Sequence, residues 1–104
     1  MKEVAEAASG STLEMAVGED LTAVLAENPT TGFRWVAEVD APTIVAVDGS
    51  AFRARASTPG AAGERVFKVT ALASGVATLA CKYWRAFEGE RSVSRRFVLE
   101  IRVR

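Results

Sequence analysis

The chain is a series of short, largely apolar runs, some alternating apolar with polar positions, separated by short clusters of Gly, Pro, Ser, Asn and Asp. A period of two marks strands with one buried and one wet face. The clearest run is 95–104, where Phe97, Leu99, Ile101 and Val103 alternate with Arg96, Val98, Glu100 and Arg102. Residues 33–39 alternate too, with Phe33, Trp35, Ala37 and Val39 on one side and Arg34 and Glu38 on the other. Further strands are predicted at 12–17, 21–27, 44–47, 51–56, 64–72 and 76–84, separated by turn signals such as Asp48-Gly49 and Ser74-Gly75. The run 21–27 reads as apolar on both faces. Residues 1–10 are small and polar, and a flexible N-terminal segment is expected there, with the domain spanning 11–104. No segment shows helical periodicity with caps.

This spacing of strands predicts an all-β fold, an immunoglobulin-like antiparallel β-sandwich of seven to eight strands, with a small barrel as the competing architecture. In such a sandwich the chain runs up and down, so alternate connections emerge at one end. The connections at 28–32, 57–63 and 85–94 are therefore expected to share a pole.

Composition narrows the function classes. The 104 residues suffice for one domain with a real core. Lys plus Arg and Asp plus Glu number 13 each, so no basic field draws nucleic acid or an anionic membrane. The absence of histidine removes Ser-His-Asp and Cys-His chemistry, and the single cysteine, Cys81, removes an intrachain disulfide and a Cys/His metal cluster. No catalytic residue, cofactor or metal is expected, and a monomer is the default. No apolar run approaches the length of a membrane span, and the start MKEVAEAASG has no apolar signal core. Met1 as the native start implies the cytoplasm, and a removed signal implies the periplasm or the exterior.

The sharpest local signal is Asn28-Pro29-Thr30-Thr31-Gly32. Pro29 fixes its own φ and biases Asn28 toward extended backbone. The threonines are stiff at χ1, and Gly32 permits the positive φ of a tight return. A loop so constrained loses little entropy on binding, although taken alone it also fits an ordinary turn. Trp35 reads as a core residue and Phe33 as a loop-edge one. The 58–63 loop, Thr58-Pro59-Gly60-Ala61-Ala62-Gly63, carries small side chains that allow close backbone approach. The third, Arg85-Ala86-Phe87-Glu88, follows Tyr83 and Trp84. Tyr83 shares the core face with Leu79 and Cys81, Trp84 points the other way, and Arg85 and Phe87 suit a contact surface. Cys81 reads as an inert buried thiol. Arg91, Arg95 and Arg96 read as a solvated strand edge, offset by Glu88 and Glu90.

These motifs resemble those of the chagasin-type inhibitors of papain-like cysteine proteases. The family pattern N-P-T/S-T-G-Y/F-x-W is present without a break from Asn28 to Trp35. The glycine-rich middle loop is matched loosely at 59–63. The pattern R-P-W/F-E, with a tyrosine two positions before it, is matched by Tyr83 and by Arg85-Ala86-Phe87-Glu88. The flanking stretches VGEDLTAVLAENP and ALASGVATLACKY agree as well, so the resemblance covers about 11–104. Two departures stand out: Ala86 replaces the family proline, and the middle loop lacks an adjacent glycine pair. The resemblance implies three loops forming a wedge that occludes a protease cleft without covalent chemistry. It puts Asn28, Pro29, Thr30, Thr31, Gly32 and Phe33 over the catalytic cysteine and Pro59, Gly60, Ala61, Ala62 and Gly63 toward the non-primed side. Arg85, Ala86 and Phe87 fall on the primed side. An immunoglobulin-like adhesion module using the same pole is the alternative.

Overall fold

The computed structural model describes residues 2–54 and 62–104. Eight strands form two four-stranded sheets packed face to face, an open sandwich rather than a barrel. In chain order they are β1 (Lys2–Ala5), β2 (Thr12–Met15), β3 (Asp20–Glu27), β4 (Arg34–Val39), β5 (Val45–Ala54), β6 (Gly63–Ala71), β7 (Gly75–Trp84) and β8 (Arg95–Val103). One sheet runs β1-β3-β6-β5 and the other β2-β8-β7-β4. Alternate, inward-facing positions supply the core: Leu21, Ala23, Leu25, Phe67, Val69 and Ala71 from one sheet meet Leu79, Cys81, Phe97, Leu99 and Ile101 from the other. Each fully buried Leu, Ile or Phe in this interior is worth roughly 1.5–3 kcal/mol.

Three expectations are corrected. The sandwich is not wholly antiparallel, because β1 pairs parallel with β3 and β2 pairs parallel with β8. The N-terminal segment is not a frayed tail. Lys2 to Ala5 align with Leu21 to Val24, the Glu6 carboxylate accepts from Arg95 at 3.1 Å, and Val98 N–H donates to Ser9 Oγ at 3.0 Å. Asp48-Gly49 does not turn the chain between two strands. It lies within β5, where the register to β6 shifts between Val47 and Gly49, a bulge that bends one continuous strand.

Register also locates the predicted pole. Gly63 pairs with both Glu27 and Ala54, Trp84 pairs with Arg34, and Tyr83 pairs with Arg95. The β3–β4, β5–β6 and β7–β8 connections therefore leave the sandwich at one end. Pro59, Gly60 and Ala61 of the middle connection lie outside the described residues.

Cys81 is buried in the core, and burial pushes its thiol pKa from 9.0 up to about 12. It stays protonated and is not a nucleophile at neutral pH.

Candidate functional site

The β3–β4 connection is a single 3-10 turn, Pro29–Thr31, whose conformation follows from its residues. Asn28 is extended (φ −117°, ψ 108°), as a residue before proline must be. Its side-chain oxygen accepts from Thr30 N–H at 3.1 Å and from Thr30 Oγ1 at 2.7 Å, which caps the turn. Thr31 Oγ1 donates to Asn28 O at 2.8 Å and accepts from Phe33 N–H at 3.3 Å. Gly32 closes the turn in the left-handed region at φ 79°. Both hydroxyls are thus committed within the loop, yet Pro29, Thr30, Thr31 and Gly32 are exposed. The loop tip is preorganised and faces solvent.

Beneath it sits an aromatic footing. Phe33 stacks on Tyr83 with ring centroids 5.3 Å apart, and Trp35 packs against the same ring at 5.1 Å. Tyr83 Oη accepts from Asn28 N–H at 3.0 Å, tying the start of the loop to β7. The Arg95 guanidinium lies 4.4 Å from the Tyr83 ring centre and donates to Ala26 O at 2.9 Å. Trp35 is 3% exposed, as its parity on β4 predicts, and its indole N–H donates to Ala26 O at 2.8 Å.

A feature missed in the sequence lies just below. Glu27 continues the inward parity of Leu21, Ala23 and Leu25 and is only 3% exposed. Its Oε1 accepts from Trp35 N–H at 2.9 Å and Arg65 Nε at 3.2 Å, and its Oε2 accepts from Arg65 at 2.7 Å. This bidentate pair joins β3 to β6 at the top of the core, and the Trp35 N–H bond ties in β4. The signal was available in the alternation of 21–27, which places a carboxylate where an apolar residue is expected.

The second described loop touches the first. Arg85 Nε donates to Thr31 O at 3.0 Å, its guanidinium lies 4.4 Å from the Phe33 ring centre, and it pairs with Glu88 at 3.4 Å. Arg85 is therefore a strut between loops rather than a free arm. A 3-10 turn, Ala86–Glu88, follows, and it lifts Phe87 to 80% exposure. Ser92 Oγ accepts from Arg85 N–H at 2.9 Å and donates to carbonyls of Arg85 and Gly89, holding the loop base. Farther along, Glu90 is clasped by Lys82 and Arg96, and the Lys82 hydrogen bond holds its carboxyl below the ordinary value.

The sequence-derived site residues thus divide. Pro29, Thr30, Thr31, Gly32, Ala62, Ala86 and Phe87 are exposed at the pole, while Asn28, Phe33 and Arg85 are its supports. Gly63 is at the same time a sheet residue, the first of β6. It is buried in β6, and a Cβ there would lie 2.1 Å from Arg53 O.

Ala86 has the surroundings of a proline site. Arg85 before it is extended (φ −104°, ψ 106°), close to Asn28 before Pro29, and Ala86 is the first residue of its turn. Replacing Ala86 by Pro is expected to stabilise the protein by about 0.4–1 kcal/mol, by restricting the unfolded chain. Thermal unfolding checks this: the midpoint should rise by roughly 2–6 °C. A fall would mean that the turn needs the alanine geometry.

A rigid β-sandwich that offers cross-braced, solvent-facing loops at one pole, with no cluster of metal-ligating side chains among the described residues, defines a loop-presenting protein-binding domain. Residues 14–101 match the family described as Chagasin family peptidase inhibitor I42, and the chain belongs to that family. Its members are inhibitors, not enzymes. The chain is 34% identical to chagasin of Trypanosoma cruzi over 104 residues, covering 95% of this chain and 94% of chagasin. Its fold is similar to that of a cysteine protease inhibitor from Entamoeba histolytica, EhICP2, with a TM-score of 0.85 and 20% identity over 99% of this chain and 94% of the other. It is also similar to PbICP-C, solved in complex with falcipain-2, with a TM-score of 0.72, 16% identity and full coverage of both chains.

Proposed function

We propose that this protein is a reversible, tight-binding inhibitor of papain-like cysteine proteases that inserts the β3–β4 loop into the active-site cleft, with the β5–β6 and β7–β8 loops on either side. The observation that carries this reading is the 28–32 loop itself. Its tip is exposed, but every threonine hydroxyl is already hydrogen-bonded within the loop. Such a tip presents a fixed shape with little polar group left to desolvate, which favours occlusion over exchange of hydrogen bonds. The neighbouring Phe87, apolar and almost wholly exposed, is the kind of side chain that anchors an interface. Membership of a peptidase-inhibitor family supports the reading, as does the occurrence of a similar fold in complex with falcipain-2.

The test is a titration of papain and cathepsins with the purified protein, followed with a fluorogenic peptide substrate. Activity should fall in a saturable way and return on dilution. Unchanged activity at micromolar protein across all of them would overturn the proposal, and a covalent protease–inhibitor adduct that survives denaturation would overturn its reversible character.

A further inference from the structure

A groove runs beside the loop tips on the outer face of the β2-β8-β7-β4 sheet. Pro29 and Gly32 form one wall, Ala86 and Phe87 the other, and Arg34, Val36 and Trp84 form the floor. It is continuous with the loops proposed to enter the protease, and the small side chain of Ala86 helps to keep it open.

The charges around it are unequal. Lys82 lies 3.6 Å from the Trp84 ring centre and pairs with Glu90, a carboxylate that it shares with Arg96. Arg85 pairs with Glu88, and Arg96 with Glu90. Among the described residues Arg34 is exposed and makes no ion pair, although seven other arginines do. Glu38, the acidic residue on its own face of β4, lies four residues along the strand, roughly 13 Å away at strand rise. An apolar groove with an unneutralised guanidinium at its floor is complementary to an apolar side chain next to a carboxylate.

We propose that this groove seats an apolar side chain from the rim of the target protease's cleft, with a neighbouring Asp or Glu of the protease pairing with Arg34. This rests on the inhibitor reading and deepens it, because Arg34 becomes a selectivity determinant: proteases with an acid at that rim bind more tightly. A charge pair at an interface edge sets encounter and register more than bulk affinity, and salt weakens it.

The experiment measures inhibition constants of the wild type, Arg34→Glu, Val36→Lys and Arg104→Glu against papain and cathepsins at low and high salt. Arg104 follows β8 at the end of the sandwich opposite the loops, has an exposed side chain, and reports the effect of net charge alone. Against the most tightly inhibited protease, Arg34→Glu should weaken inhibition about tenfold at low salt and less at high salt. Arg104→Glu should change it by less than about twofold. Val36→Lys should weaken inhibition although it adds positive charge, because it fills an apolar seat with a cation. Equal effects of Arg34→Glu and Arg104→Glu, or tighter binding by Val36→Lys, would overturn the groove assignment while leaving the inhibitor reading intact. Failure of the wild type to inhibit any of the proteases would overturn both.

Discussion

Replacing Thr31 by aspartate is expected to weaken protease inhibition by at least ~100-fold, equivalent to about 2.7 kcal/mol, while leaving the fold in place. Two effects act together. Thr31 Oγ1 donates to Asn28 O at 2.8 Å, and an ionised carboxylate cannot donate, so two acceptors would face each other and the turn would open. In the proposed complex the same carboxylate would be desolvated beside the thiolate of a papain-like nucleophile, an unpaired contact of like charges. Thr31→Val separates the two, since it removes the hydroxyl but keeps the branched shape. It should cost only the loop tie, a net hydrogen bond of about 0.5–1.5 kcal/mol. Inhibition constants for both variants, with thermal unfolding as the control, decide the matter. An aspartate variant within twofold of wild type would remove Thr31 from the contact.

The largest expected loss of stability comes from Glu27→Ala. Truncation strands the Arg65 guanidinium, whose side chain is 14% exposed, and leaves Trp35 N–H without its acceptor. Breaking a buried ion pair on one side costs about 3–5 kcal/mol, a large part of the roughly 5–15 kcal/mol that holds a domain together. The unfolding midpoint should fall by at least ~12 °C for a chain of this size. The double variant Glu27→Leu with Arg65→Met should recover much of that loss, because it removes both charges and refills the space. A denaturant titration of the three proteins would show it. If Glu27→Ala unfolds within about 1 kcal/mol of wild type, the pair is not closing the core as argued. The loop would also feel this change, since Glu27 and Trp35 bracket it in sequence and meet beneath it.

Much of this was legible before any coordinates. Alternation placed the strand read at 33–39, found at Arg34–Val39, and the last one, Arg95–Val103, because a sheet with one buried face writes its register into the sequence. Trp35, Tyr83 and Cys81 were found in the core for the same reason. The turn at Pro29–Thr31 was legible because proline, threonine and glycine restrict backbone locally. What escaped was long-range. Residues 1–10 have no period of their own, and their order comes from a strand 19 residues away and from Arg95, 89 residues from Glu6. Asp48-Gly49 carries turn chemistry, but the same residues serve a bulge when the neighbouring strand continues past them. Arg85 could be assigned to a loop but not to a strut, since its hydrogen bond reaches Thr31, 54 residues earlier. Glu27 was legible in part: its parity points inward, and a charge at an inward position implies a partner cation on a neighbouring strand, which Arg65 supplies.

The parallel pairing of β1 with β3 has a practical corollary. Lys2 lies beside Leu21, at the start of β3 and away from the loop pole, and β8 runs from Arg95 at the pole to Val103 beside Gly75. Both ends of the described chain therefore emerge on the side opposite the loops. A tag, a label or a carrier protein fused at either end would stand clear of the presenting surface. Tethered to a bead or a sensor chip through either terminus, the molecule would hold its loops outward, ready to capture what they bind.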